Sequence, residues 1–190
     1  DPIFNMDYET RDTIYSMLGL DPKKPIFIIL HHPDPIDRTS GYQYIHRIMD
    51  ALDELDRQFI MIYPCDDPGW EKCVKAIEWF SGHDNIQIHK NLSSRTFLGL
   101  MAAASCIVGN SSAGIIEAPY LELPCINVGN RQHGRLRSDN VVDASSVEEI
   151  ASAWSVIQAS MRPPYEKLYG NGATGLRIIE QLREWWKHDG

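Results

Sequence analysis

Five short apolar runs punctuate this chain, and a longer segment of helical period follows each of them. The runs cover residues 26–30, 59–63, 86–88, 106–108 and 125–128. A strand with one wet face alternates apolar and polar residues. Ile26-Phe27-Ile28-Ile29-Leu30 does not alternate, so it suits a strand covered on both faces, as in a parallel sheet. Between the runs, Tyr44, Ile45, Ile48, Met49 and Leu52 recur at helical spacing. Asp67-Pro68 reads as a helix cap with proline in the first turn, ahead of Trp70, Val74, Ile77 and Phe80. Ser94 stands in the same relation to Phe97, Leu98, Leu100, Met101 and Ala104. Ser146-Val147-Glu148-Glu149 is a capping box opening a helix through Ile150, Trp154 and Ile157. A last helical segment carries Leu176, Ile179, Leu182 and Trp186. This βα alternation predicts one α/β domain over residues 1–190, a doubly wound, Rossmann-like parallel sheet.

With 43% hydrophobic and 23% charged residues, the chain has the makeup of a packed globule. Its formal net charge of -8 argues against a nucleic-acid partner, which calls for clustered Lys and Arg, but leaves room for a single nucleotide. The longest purely aliphatic or aromatic stretch, residues 26–30, is far short of the roughly 20 residues that span a bilayer. No signal segment opens the chain. A soluble, cytoplasmic protein with no membrane partner is expected. Cys65, Cys73, Cys106 and Cys125 lack paired spacing, which predicts buried reduced thiols rather than a zinc site or disulfides. The chain starts at Asp1 rather than Met, which reads as a fragment of a longer protein.

Ligands of such sheets bind beyond the carboxyl ends of the strands, so the residues just after each run matter most. Val108-Gly109-Asn110-Ser111-Ser112-Ala113-Gly114 reads as strand, small-residue turn and helix start near Ser112. Amides at that start can receive an anion, with the Ser111 and Ser112 hydroxyls as further donors. Glu117 follows within the helix, where its carboxylate can accept ribose hydroxyls. On spacing alone an equal alternative stands: Asn110 or a serine merely caps the helix and Glu117 is solvated. Gly129-Asn130-Arg131-Gln132-His133-Gly134-Arg135 puts two arginines in a glycine-bracketed loop suited to phosphate. His31-His32-Pro33-Asp34 follows the first run. Neighbouring residues of an extended chain point to opposite sides, so one histidine facing a ligand is expected there and no metal is assigned.

GNSSAGIIEAP (Gly109 to Pro119) followed by INVGNRQHGR (Ile126 to Arg135) closely resembles the UDP-N-acetylglucosamine 2-epimerases, and their hydrolysing branch more than the non-hydrolysing one. The latter carries Asp-Ser-Gly-Gly where this chain has Asn110-Ser111-Ser112-Ala113. Leu30-His31-His32-Pro33 and Tyr169-Gly170-Asn171-Gly172-Ala173 are similar to further family motifs, so the resemblance runs through nearly the whole chain. One departure is Cys65, where hydrolysing relatives carry Asn; a thiol cannot replace an amide's donor and acceptor pair, and the sequence leaves open whether Asp66 or Asp67 substitutes.

The resemblance implies one half of a two-domain GT-B-type architecture, here the C-terminal, nucleotide-binding half, with the N-terminal domain absent from the chain. It implies UDP held by His32, Leu92, Ser111, Ser112, Glu117 and Arg131. Leu92 would present backbone groups to uracil, Glu117 would take the ribose, and Ser111, Ser112 and Arg131 the phosphates. His32 is the one candidate catalytic residue of this half. The implied reaction eliminates UDP to a glycal and releases N-acetylmannosamine for sialic acid synthesis, with no cofactor. The proton-moving carboxylates belong to the absent half, so this chain alone is expected to bind without turnover. UDP-N-acetylglucosamine and the diacetylbacillosamine nucleotide are both compatible sugars. A homodimer is implied as well. Trp185 and Trp186 either pack within this domain or need an absent partner surface. Two rival readings are a GT-B glycosyltransferase domain and a non-catalytic nucleotide-sugar-binding module.

Overall fold

The computed structural model describes residues 2–37, 40–52, 56–161 and 163–189. The strands are β1 (Ile26–Leu30), β2 (Gln58–Ile62), β3 (Ile86–His89), β4 (Cys106–Gly109), β5 (Cys125–Val128) and β6 (Val141–Ala144). The helices are α1 (Arg11–Leu18), α2 (Ser40–Leu52), α3 (Trp70–Trp79), α4 (Ser94–Ala103), α5 (Ala113–Ile116), α6 (Val147–Ser160) and α7 (Thr174–Asp189), with a 3-10 turn at Ala118–Leu121. The strands form one parallel sheet in the order β3-β2-β1-β4-β5-β6. The chain therefore winds outward from β1 in one direction and from β4 in the other. That is the doubly wound, Rossmann-like arrangement, and it leaves a crevice where β1 and β4 part company.

The unbroken apolar runs serve two cores. Phe27, Ile29, Phe59, Met61, Val108 and Ile126 face α2, α3 and α6. Their strand neighbours Ile26, Ile28, Ile60, Ile62, Ile107 and Cys125 face the side of α1 and α4. Each strand thus keeps its two-residue alternation, but both destinations are dry. Two elements escape sequence patterning. The edge strand β6 exposes Asp143, and α1 buries only Ile14 completely, so neither carries a strong periodic signal.

Helix starts differ from expectation in two places. Helix α3 begins after Gly69 (φ 100°), which has no side chain to cap it, while the Asp67 carboxylate accepts the Cys65 thiol. Helix α4 is capped by Ser93 rather than Ser94: the Ser93 Oγ accepts the Thr96 N–H at 3.1 Å. The capping box of α6 forms as the sequence predicts, Ser146 and Glu149 satisfying each other's amides. Helix α7 contradicts burial of its tryptophans within this domain. Leu176 is 67% and Trp186 71% exposed, and Trp185 is exposed with them. The segment ahead of α7 is nonetheless tied down, since Tyr120 Oη donates to the Gly170 carbonyl and Tyr169 Oη to that of Leu136, both at 2.7 Å.

Gly109 ends β4 at φ 141°, and a Cβ there would lie 2.1 Å from the Leu30 carbonyl oxygen of β1. Gly109→Ala is expected to cost about 2–4 kcal/mol through a clash between paired backbones. Gly82→Ala, at φ 93° with open space around it, should cost only about 1 kcal/mol. Urea unfolding of the two variants checks the contrast, and equal midpoints would contradict it.

Candidate functional site

At the carboxyl end of the sheet, one buried residue joins three loops through its side chain and its backbone carbonyl. Asn110, 2% exposed, follows β4 directly. Its Oδ1 accepts the His32 N–H at 2.6 Å, and its Nδ2 donates to the His32 carbonyl at 2.9 Å. The same Nδ2 lies 3.3 Å from Nε2 of His31. The Asn110 carbonyl accepts Gln132 Nε2 at 2.7 Å and Arg131 Nη1 at 3.3 Å. The ends of β1, β4 and β5 are thereby fixed relative to one another. Asn110 is therefore not a helix cap, as one sequence reading had it.

The two histidines diverge, as adjacent residues of extended chain must. His31 is buried against Tyr44, and burial first, then His32 and Arg131, pull its pKa down to about 3. His32 turns towards Cys65, whose backbone N–H donates to His32 Nδ1 at 3.1 Å. That bond assigns the remaining ring proton to Nε2, leaving an N–H donor for a ligand. Burial and then Arg131 hold the His32 pKa down at about 4, against an upward pull from Asp67. The ring is neutral at physiological pH. Cys65 itself is exposed, contrary to the expectation of four buried thiols; Cys73, Cys106 and Cys125 are buried.

Ser111 and Ser112 form the turn after Asn110. Ser111 Oγ accepts the Ala113 N–H at 3.3 Å, while Ser112 makes no capping bond. Helix α5 holds only 4 residues, so its dipole is small and an anion here depends on local donors instead. Glu117 sits where α5 meets the 3-10 turn and is not simply solvated. Its Oε2 is buried without a hydrogen-bond partner, and burial raises its pKa. Arg131 completes the group from the loop after β5, its side chain 21% exposed and its Nε buried without a partner. Arg135, the second arginine of that loop, is exposed and does not converge on the site.

Two cavities flank this junction. One of about 510 Å³ is lined by His32, Tyr63, Cys65, Lys90, Leu92 and Phe97. The other, about 460 Å³, is lined by Asp34, Asp37, Tyr44, Asn130, Arg131 and His133. Of the residues predicted from sequence, His32, Ser111 and Arg131 meet around Asn110, and Leu92 lines the first cavity beside His32. Ser112 continues the turn and Glu117 follows one short helix later. Sequence reasoning missed the joining role of Asn110, the contact of Gln132 and the place of Asp67 beside Arg131. The available signal was a buried-strand ending in Asn with two serines already at hand to cap the helix.

The low histidine pKa values have a consequence for stability. Values near 3 and 4 lie below the unfolded value of about 6.5, so the unfolded chain takes up these protons first as pH falls. The stability that the neutral rings contribute is complete above about pH 6.5 and is lost towards pH 4, on the order of 1–2 kcal/mol per histidine by pH 5. Glu117, raised by burial, works in the opposite direction and is removed with Glu117→Gln. Urea unfolding of that variant should weaken between pH 7.5 and 5.0, with neither imidazole titrating by NMR over the range. Rings that titrate near 6.5 would contradict this.

The family profile described as UDP-N-acetylglucosamine 2-epimerase matches residues 3–183. A hydrolysing UDP-N,N'-diacetylbacillosamine 2-epimerase of Legionella pneumophila is 31% identical over 185 residues, covering 96% of this chain and 49% of its own length. The structure of the Neisseria meningitidis UDP-GlcNAc 2-epimerase bound to UDP-GlcNAc superposes with a TM-score of 0.71 at 17% identity, covering 92% of this chain and 49% of that one. The Escherichia coli ADP-heptose LPS heptosyltransferase II shares the fold at a TM-score of 0.57 and 12% identity, with 77% and 50% coverage. The chain thus spans about half the length of the relatives it matches. By the match over nearly all its residues, it belongs to the UDP-N-acetylglucosamine 2-epimerase family.

Proposed function

We propose that this chain is the C-terminal, UDP-binding half of a hydrolysing UDP-N-acetylglucosamine 2-epimerase. The observation that carries the reading is the convergence on Asn110: a neutral histidine donor, a serine turn and a partly buried arginine meet at the sheet's switch point. All three are suited to a diphosphate. Leu92 beside the 510 Å³ cavity would receive uracil, and the unpartnered Glu117 carboxylate would accept ribose hydroxyls. The cavity beyond Arg131 has room for the sugar.

In the reaction, a base takes the proton from C2 of the sugar while the C1–O bond breaks and UDP departs, leaving a C1=C2 double bond. Water then adds across it, oxygen to C1 and a proton to C2 from the other face, releasing N-acetylmannosamine. Departure of UDP requires its growing negative charge to be stabilised. Arg131 meets that charge, and His32 Nε2–H donates to a phosphate oxygen, which makes it the catalytic residue of this half. The base belongs to the other half of the protein, so this chain alone binds and does not turn over. The unpartnered apolar face of α7, Leu176, Ile179, Leu182 and Trp186, is the surface on which that half would dock. Free thiols at all four cysteines fit a reducing, cytoplasmic setting. A glycal intermediate distinguishes this reading from a glycosyltransferase on the same fold.

Calorimetric titration with UDP tests the assignment. The chain should bind saturably; Arg131→Ala should weaken binding tenfold or more, on the order of the loss of one charge-assisted hydrogen bond, and Glu117→Ala about fivefold. Saturable binding that neither substitution changes would place the nucleotide elsewhere and sink the reading.

A further inference from the structure

Asp67 lies on the loop after β2 and is absent from the set of ligand-binding residues above, yet it reaches the centre of the site. Its Oδ2 accepts the Cys65 thiol at 3.0 Å and stands 3.5 Å from Nη2 of Arg131. The carboxylate is half exposed, at 48%, and borders a small cleft with Pro33, Pro35 and Pro68. The Cys65 thiol, then Arg131 and His32, hold Asp67 below the usual carboxylate range, so it is charged at neutral pH. Arg131 has two anchors among the described residues, the neutral Asn110 carbonyl and the Asp67 carboxylate. Any anion brought to Arg131 meets this negative charge.

We propose that Asp67 is a positioning residue that holds Arg131 and is exchanged for the diphosphate on binding, so that its charge disfavours free UDP more than UDP still joined to a sugar. The inference rests on the nucleotide reading above. The chemistry follows from charge. A nucleotide diphosphate esterified at both ends carries about two negative charges at neutral pH, and free UDP about three once its terminal phosphate ionises near pH 6. A fixed carboxylate repels the second more than the first. The same contact that aligns the guanidinium before the reaction would therefore favour release of the product after it. The Cys65 thiol, by holding Oδ2, keeps the carboxylate near Arg131 when the phosphate takes its place.

Dissociation constants of UDP, UDP-N-acetylglucosamine and uridine test this on the chain, on Asp67→Asn and on Asp67→Glu, with Arg131→Ala in parallel. Asp67→Asn should tighten UDP about three- to tenfold, the range of a partly exposed charge interaction, and tighten the UDP-sugar by less. Uridine, which has no phosphate, should not move, and Asp67→Glu should match the parent. A purely structural role for Asp67 would shift all three ligands together. If the parent binds UDP and Arg131→Ala weakens it, but Asp67→Asn leaves UDP unchanged or weaker, this inference fails and the nucleotide reading stands. A folded chain that binds no UDP overturns both.

Discussion

The site depends on Asn110. Its side-chain amide pairs with both backbone groups of His32, and its carbonyl takes one donor each from Arg131 and Gln132. These bonds are buried or part-buried, and loss of a partner there leaves an unsatisfied polar group costing about 1–3 kcal/mol. From the end of β4, Asn110 reaches the end of β1 through its side chain and the loop after β5 through its backbone carbonyl. The position is set in turn by Gly109, which alone lets β4 end against the Leu30 carbonyl with its φ at 141°. A close backbone approach thus places the asparagine, and the asparagine ties down His32, Arg131 and Gln132.

Around this hub, the structure keeps several polar atoms without partners. Arg131 Nε and Glu117 Oε2 are both buried and unpaired. Packed proteins rarely leave such atoms orphaned, so each calls for a partner such as a water or a ligand. The histidines show the complementary tactic. Burial drives both rings to the neutral state, so His32 offers a hydrogen bond without adding a cation. Fixed positive charge is left to Arg131, with Asp67 tempering it. On the proposed reading, this arrangement receives an anion at Arg131 while Asp67 limits how tightly it is held.

Much of this was legible in the sequence, for physical reasons that differ by element. Runs such as 26–30 announce strands covered on both faces, and Ser146 with Glu149 announces a helix start, because these signals are local. The edge strand β6 and helix α1 are half-exposed and carry no such pattern. His32, Ser111 and Arg131 could be picked out because they follow strands directly. Their connection through Asn110 could not, since it links residues 78 positions apart. Asp67 read as a helix cap because Asp-Pro usually is one; the cap position falls instead at Gly69, and the Asp67 carboxylate meets the neighbouring Cys65 thiol and the distant Arg131. The short length of α5 was equally hidden, because the break at Glu117 comes from Pro119 and the 3-10 turn it enters.

The claim at the centre is that one nucleotide diphosphate sits across the ends of β1, β4 and β5. Amide chemical-shift mapping of the isotopically labelled chain during titration with UDP tests it most directly. The account predicts the largest shifts at Ser111, Ser112, Ala113 and Leu92, with the Asn110 side-chain amide and Cys65 moving with them. Saturable shifts confined to another surface, such as the groove between β6 and α6, with the Ser111 turn unmoved, would contradict it.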